Sequence, residues 1–453
     1  MDVCTIREVA EMCRGVLLQG NPRCLVSQLS KDTRTLKPGD VYIALRGVHF
    51  DGNRFLAQAE ACGASAVIVE SISTLPINSK LAVILVPNSL VALRHLAESW
   101  RDRIAPKVIC ITGSNGKTTT RELTARVLER RFSISHTQGN FNNHIGLPLT
   151  ILATSSVHNV AIWEIGMNHH GEILPLAKLA RPQIGIITNI GVAHIANMGS
   201  REAIAVEKGS LIPQITPGGT LILPAEDDFS KKLASSSPIR TLFVGLNFGA
   251  VTASNIEVLP NGTRFIAHSF GQHASVTLSV PGKHMVKDAL FALAVGLELG
   301  ISIPDGAREL SYAPLLHCRP KLQVKHQVQF LDDSYNANPD SMVTALNTLS
   351  EIPCAGRRFA ILGKMDELGV YTKIGYQKVA QAAAASLVDA LIAVGEETLP
   401  LIREAIKRGM RNVYHTLDTS ATAKLLGRIT SPGDIVLIKG SNSARMSYII
   451  EQY

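Results

Sequence analysis

Short, wholly apolar runs alternate along this chain with stretches in which apolar positions recur every three or four residues. In the first 105 residues, Val41 to Leu45, Ala66 to Val69 and Leu81 to Val86 read as buried strands. Asn53 to Cys62 reads as a helix, Lys37-Pro38-Gly39-Asp40 as a turn and Val91 to Trp100 as a closing helix, with a boundary at Ala105-Pro106. From 106 to 315 the alternation continues, with strands at Val160 to Ile165 and Ile184 to Asn189 and a helix from Glu172 to Leu179 between them. Two alternating runs then face each other across a turn at Asn261-Gly262, and a helix follows from about His284 to Leu299. From 316 to 453, strands at Phe359 to Leu362, Ala390 to Val394 and Ile435 to Ile438 are separated by helices, including the Ala-rich Gln377 to Leu387. Strands alternating with helices predict parallel sheets covered on both faces.

A length of 453 residues is too great for one core and suits three domains. Hydrophobic content of 46% with 18% charged residues is that of a globular enzyme. The formal charge of +8 is scattered, without a basic stripe interleaved with aromatics, so no nucleic-acid partner is expected. That charge is either a solvated basic surface or a bias toward an anionic small substrate. The seven cysteines show no C-x-x-C or zinc spacing and fit reduced thiols. No apolar run is long enough to span a membrane, and Asp2 breaks any leader-like start, so a cytoplasmic location is expected.

The most specific chemistry lies at Ile109 to Thr120. An apolar strand runs into Gly113-Ser114-Asn115-Gly116, and Lys117-Thr118-Thr119 then opens a helix. This is the arrangement of a phosphate loop: backbone N–H groups face the polyphosphate, Lys117 reaches the outer phosphates and the Thr118 hydroxyl ligates Mg²⁺. Ile111 stands where the usual pattern has its first glycine. Glu164 ends an apolar strand and points to the crevice as a metal ligand or as a solvated strand end. His194 follows the next strand and reaches the same edge. Lys208 lies on a helix that begins near Ser200, where the residues alone do not separate it from Arg201 or Lys178. Asp332-Asp333 caps a further apolar run and could hold Mg²⁺ or ribose hydroxyls, or simply start the next helix. On residue chemistry alone, this is an Mg²⁺–ATP enzyme with its site between two α/β domains.

Taken in order, these motifs resemble the Mur ligases of peptidoglycan synthesis, essentially end to end. Ser30 to Arg34 with Pro38-Gly39-Asp40 and Gly47 to Asn53 is similar to the family's uridine-nucleotide domain, and Thr112 to Thr119 to its ATP loop. Asn140 to Asn143 with Gly146 and Pro148 resembles the segment facing the muramoyl substrate; Glu164 to His169 and Asn189 to His194 resemble the metal motifs. Asp332 to Met342 resembles most specifically the member that adds D-alanyl-D-alanine to UDP-N-acetylmuramoyl-tripeptide, and the motif of the sibling that selects a diamino acid is missing.

The resemblance implies an α/β fold of three domains. These are a smaller N-terminal α/β domain (1–105) binding the UDP substrate, a central P-loop-type, mostly parallel sheet (106–315) binding ATP, and a C-terminal Rossmann-like domain (316–453) binding the dipeptide. It implies an ATP-dependent amide ligase working through an acyl phosphate as a cytoplasmic monomer. Gly113 to Thr119, His284, Asp288, Arg319 and Asp333 are then the ATP contacts. Thr33, Arg34, Asn140, Asn142, Asn143, Asn336 and Asn338 are the substrate contacts. Thr118, Glu164 and His194 are the metal ligands, and Lys117, His194 and Lys208 the catalytic set, with Lys208 open to carbamylation by CO₂. Asp288, His144, Lys364, Tyr376 and Asn442 depart from the family pattern, so altered adenine or dipeptide contacts are expected there. Whether the tripeptide ends in meso-diaminopimelate or lysine stays open.

Overall fold

The computed structural model describes residues 1–47, 50–73, 75–76, 78–236, 238–312 and 320–453. Arg319 and the boundary at 315/316 therefore lie outside the described residues. The architecture is three α/β units in a row. The first carries a five-stranded sheet in the order Val16–Gln19, Ala82–Leu85, Ala66–Val69, Val41–Ile43, Leu29–Ser30, parallel except for its first strand.

The central sheet places the site. Its strands β1 (Lys107–Thr112), β2 (Val160–Glu164) and β3 (Ile184–Ile187) lie side by side in the order β2-β1-β3 and run parallel. Nearly every residue in them is buried, as a sheet covered by helices on both faces requires. Ile134–His136 flanks β2, and Thr220–Pro224, Arg240–Gly245 and Val251–Leu259 extend the parallel set beyond β3. Gly262–Ser269 and Gln272–Leu278 then close the edge antiparallel. Helix α1 (Lys117–Leu128) leaves the end of β1, and α2 (Arg201–Gly209) follows β3. Helix α3 (Lys283–Glu298) is apolar on nearly all sides and packs on α1, which is why it reads as core rather than as a surface helix.

The last unit has six strands in the order Lys321–Lys325, Val328–Asp332, Ile435–Lys439, Arg358–Leu362, Ala390–Val394, Val413–Thr416, parallel apart from the first. Helix α4 (Pro339–Glu351) opens with a capping box. Asn338 accepts from the Ser341 N–H, Ser341 accepts from the Asn338 N–H, and Pro339 supplies the first helical residue.

Three local expectations change. Asn53 to Cys62 is a 3₁₀ turn, Gly52–Phe55, followed by a short helix, Leu56–Ala61, because the Asp51 carboxylate caps the Asn53 N–H and tightens the first turn. Gly262 is the first residue of its strand, paired with Leu259, and the turn is Pro260-Asn261. Its glycine serves close packing, since a Cβ there would lie 2.2 Å from the Leu278 carbonyl oxygen. The Ala-rich helix runs Thr372–Ala385 and stops before Leu387, where Ser386 turns extended.

The seam between the first two units has an apolar centre and several polar bonds around it, among them Ser155 Oγ and the Ser156 N–H to the Asp2 carboxylate and the Arg101 guanidinium to the Leu179 carbonyl. Trp100, fully buried on helix Ser89–Ile104, donates its indole N–H to the Thr154 carbonyl at 2.8 Å. Trp100→Ala removes a large side chain and leaves that carbonyl unpaired, so a destabilisation of about 3–5 kcal/mol is expected. Calorimetry should show the first unfolding transition falling by several degrees, and an unchanged transition would refute this account of the seam.

Candidate active site

At the end of β1 the chain makes a turn that only glycine permits. A Cβ on Gly113 would fall 1.8 Å from the Thr188 hydroxyl, and Gly116 takes φ +82° with Asp288 Oδ1 pressed behind it. The turn is clamped to the end of β3. Thr188 Oγ1 and Asn189 Nδ2 both donate to the Asn115 carbonyl, at 2.5 and 2.9 Å. The Asn115 N–H donates to Asn189 Oδ1, the Ser114 N–H to the Asn189 carbonyl and the Gly191 N–H to Ser114 Oγ. No side chain caps α1, so its first N–H groups face the cleft with their partial positive charge, as an anion site requires. Lys117 folds over the loop and donates to the Gly113 carbonyl at 2.7 Å. Burial lowers its pKa, and the nearby Glu164 charge opposes that shift.

This loop forms part of one cleft of about 1700 Å³ between the central and C-terminal units. The cleft brings together Ser114 to Thr119, Asn140, Asn142, Asn143, Glu164, His194, His284, Asp288, Asp333, Asn336 and Asn338. Thr33 and Arg34 are not among its lining residues; Arg34 forks onto Asp32 on the first unit, at 2.6 and 2.9 Å. Lys208 does not line the cleft either. It is fully buried on α2, and burial, reinforced by the charge of Lys117, holds its amine well below the usual lysine range, with Glu207 opposing.

Glu164 is buried, and burial raises its pKa. Arg121, equally buried one turn beyond Lys117, answers with a guanidinium N–H at 2.7 Å from Oε1. The Thr118 hydroxyl lies 3.3 Å from Oε2. Two oxygens that share one Mg²⁺ at about 2.0–2.1 Å sit about 3 Å apart, so this pair fits that ion. Among the described residues no three His, Cys, Asp or Glu side chains are gathered to hold a metal by themselves. That suits a cation completed by phosphate oxygens and water.

His194 Nδ1 contacts Glu367 Oε2 of the C-terminal unit at 2.5 Å. Asp333 is held by the buried Lys439 ammonium at 2.6 Å, and Asn338 Nδ2 donates to Asn115 Oδ1 at 2.8 Å. Asn143 Oδ1 accepts the Ile145 and Gly146 N–H groups and so caps the next helix. Asp288 sits under the phosphate loop, against Gly116 and the Thr120 hydroxyl. Of the other departures, His144 lines the cleft, Tyr376 is buried and Lys364 pairs with Asp366 at 3.2 Å. Asp340, in the segment Asp332 to Met342, accepts the Val192 N–H at 2.9 Å; Arg121, Lys439 and Glu367 were not legible as site residues. Only Arg121 left a signal, a charged residue four positions after Lys117 on the helix face that meets the sheet.

A phosphate loop at the base of a cleft covered by a second Rossmann-like domain defines a nucleotide-dependent transferase or ligase. The comparisons narrow this. Residues 26–101 match the Mur ligase family catalytic domain, 111–296 the Mur ligase middle domain and 321–442 the Mur ligase glutamate ligase domain. The chain belongs to the Mur ligase family, whose members are ATP-dependent ligases. It is 32% identical to the UDP-N-acetylmuramoyl-tripeptide–D-alanyl-D-alanine ligase of Bacillus subtilis, over 99% of this chain and 97% of that protein. To the ligase of that name from Escherichia coli it is 30% identical, over 98% and 97%. MurF from Acinetobacter baumannii superposes with a TM-score of 0.91 at 30% identity, covering 100% of this chain and 98% of that one. MurF from Thermotoga maritima in complex with ADP gives 0.83 at 27%, covering 94% and 96%.

Burial pushes the Asp288 carboxyl up to about 8, against the opposing Thr120 bond and the Lys287 charge. Unfolded, it titrates near 4. Between about pH 4 and 8 the folded chain therefore holds a proton that the unfolded chain releases, so this group's contribution to stability falls across that window and levels above it. Asp288→Asn should remove the decline, with an advantage over wild type on the order of a few kcal/mol at pH 8 and little near pH 4. Parallel stability–pH curves for the two proteins would show the carboxyl to be ionised.

Proposed function

We propose that this chain joins D-alanyl-D-alanine to UDP-N-acetylmuramoyl-tripeptide, giving UDP-N-acetylmuramoyl-pentapeptide, ADP and phosphate. The observation that carries the reading is the seating of the segment Asp332 to Met342 on the phosphate loop, through the Asn338–Asn115 bond, in a chain alike end to end to ligases of that name. In this reading 1–105 holds the uridine nucleotide through Thr33 and Arg34, 106–315 holds ATP, and 316–453 delivers the dipeptide. One chain supplies every part, so a monomer working on cytoplasmic precursors suffices. Among the described residues no helix is long and apolar enough to cross a membrane.

The reaction needs two anions, a carboxylate and a triphosphate, to meet. The tripeptide carboxylate attacks the γ-phosphorus, the bond to the β-phosphate oxygen breaks, and ADP leaves an acyl phosphate. The dipeptide amine then adds to the acyl carbon, and the tetrahedral intermediate expels phosphate as the amine loses its proton. Lys117 and the α1 N–H groups neutralise the transferring phosphate, Asn140, Asn142 and Asn143 orient the muramoyl arm, and Asn336 and Asn338 bring in the dipeptide side. Asp333 takes the ribose hydroxyls with its carboxylate fixed by Lys439, and His284 and Asp288 flank the nucleotide. Mg²⁺, held by Thr118, Glu164 and His194, supplies charge neutralisation between the two anions. Lys208 is a fit site for carbamylation, because its burial favours the unprotonated amine that adds CO₂ with loss of a proton.

Three measurements test this reading. ADP release with Mg²⁺–ATP and UDP-N-acetylmuramoyl-tripeptide should require D-alanyl-D-alanine and yield the pentapeptide by mass; release without amide formation would sink it. Lys117→Ala should abolish ADP formation while binding of the UDP substrate persists, and the reverse pattern would remove the phosphate-loop assignment. Depleting CO₂ should slow turnover and added bicarbonate restore it, with Lys208→Ala insensitive to both; equal bicarbonate response in the variant would place the effect elsewhere.

A further inference from the structure

We infer that Glu367, on a loop of the C-terminal unit, is a positioning residue for His194, so that the metal site is completed only when that unit closes on the central one. This rests on the reading of His194 as a metal ligand and extends it to a residue 173 positions away.

The geometry is specific. Glu367 Oε2 lies 2.5 Å from His194 Nδ1, and among the described residues no hydrogen bond uses Nε2. A carboxylate on Nδ1 keeps the proton there and presents the Nε2 lone pair, which is how metal-ligating histidines are commonly oriented. Both residues take left-handed backbone angles, φ 62° for His194 and 60° for Glu367. Glutamate rarely adopts that conformation, and such positions persist where surrounding structure imposes them.

The surroundings do impose it. The Glu367 carbonyl accepts the Ala196 N–H at 3.1 Å, and Tyr371 Oη donates to the Gly199 carbonyl at 2.5 Å, so the loop is docked on both sides of the ion pair. Behind it, the Asp366 N–H donates to Ser441 Oγ at 2.8 Å and the Ser441 N–H to the Lys364 carbonyl at 2.9 Å. The loop is thus rigid within its own domain. It travels with that domain, and its carboxylate leaves His194 whenever the cleft opens. A histidine freed from Nδ1 is free to rotate and to change tautomer, so cation affinity follows closure, and by linkage the cation favours closure.

The test uses the full chain with a non-hydrolysable ATP analogue and Mn²⁺ as the probe, its binding read by electron paramagnetic resonance. Glu367 is 43% exposed, so its variants should fold, which thermal unfolding checks. Glu367→Ala should weaken Mn²⁺ about tenfold or more, and Glu367→Gln less, since its carbonyl can still accept the Nδ1 proton. Tyr371→Phe removes a neighbouring bond of the same docking without touching His194 and should change Mn²⁺ affinity less than about twofold. An equal shift in Glu367→Ala and Tyr371→Phe would show that the contact acts through docking alone and overturn the inference. So would an unshifted Glu367→Ala beside a weakened His194→Ala. If His194→Ala itself binds Mn²⁺ as wild type does, the metal reading of His194 falls, and this inference with it.

Discussion

The clamp between the phosphate loop and the end of β3 is the constraint on which the rest of the site depends. Thr188 and Asn189 hold the Asn115 carbonyl from two sides, while Asn189 takes the Ser114 and Asn115 N–H groups in return. A loop held this way has its N–H groups aimed before any anion arrives, so little ordering remains to oppose binding. The close approach of Thr188 leaves no room for a side chain at position 113. Fixing the Asn115 backbone also fixes its side-chain oxygen, which is the atom that receives Asn338 from the C-terminal unit. Loop geometry and domain closure therefore share one residue.

A second theme is charge held out of water. Glu164 and Arg121 are both almost fully buried and are tolerable there because they pair. Lys208 and Asp288 are also buried, and in both burial shifts the balance toward the neutral form, lowering the lysine and raising the aspartate. At Asp288, whose carboxyl burial pushes up to about 8, the uncharged form is favoured near neutral pH. The position of Asp288 against Gly116 and Thr120 also makes it a support of the loop, where the resemblance alone pointed to the adenine.

Most of the central fold was legible, because a parallel sheet buried on both faces forces continuous apolar runs such as Val160 to Ile165 and Ile184 to Asn189. Of the strands that went unnamed, Thr220–Pro224 is fully buried inside the sheet and its run is simply short, while others have weaker patterns. Val413–Thr416 is an edge strand with two exposed residues, and Ile134–His136 is a three-residue edge, so neither needs an apolar run. The phosphate loop was legible because its chemistry is local: turn, cation and hydroxyl must lie within a few residues. Arg121 was not, since a charged residue on a helix ordinarily reads as solvated. Lys439 and Glu367 were invisible for a different reason. Their partners Asp333 and His194 are 106 and 173 residues away, and only the folded chain brings them together.

That distribution of contacts bears on how such an enzyme can be both open and active. The bonds within the phosphate loop are all made inside the central unit and survive any movement of the C-terminal one. Bonds that cross between the central and C-terminal units include Asn338 to Asn115, the Val192 N–H to Asp340 Oδ2, Glu367 to His194, the Ala196 N–H to the Glu367 carbonyl, Tyr371 to Gly199, Lys283 to Glu351 and Gln329 to the Pro260 carbonyl. Those of Asn338 and Asp340 lie beside the cleft, and polar bonds of this kind can be exchanged for water at small net cost. An apolar interface of the same extent would hold the cleft shut and bar the two anionic substrates. Here apolar packing such as that of Ile195 and Met198 near Leu368 is interspersed with exchangeable polar bonds, so ligands binding between the units can bias closure.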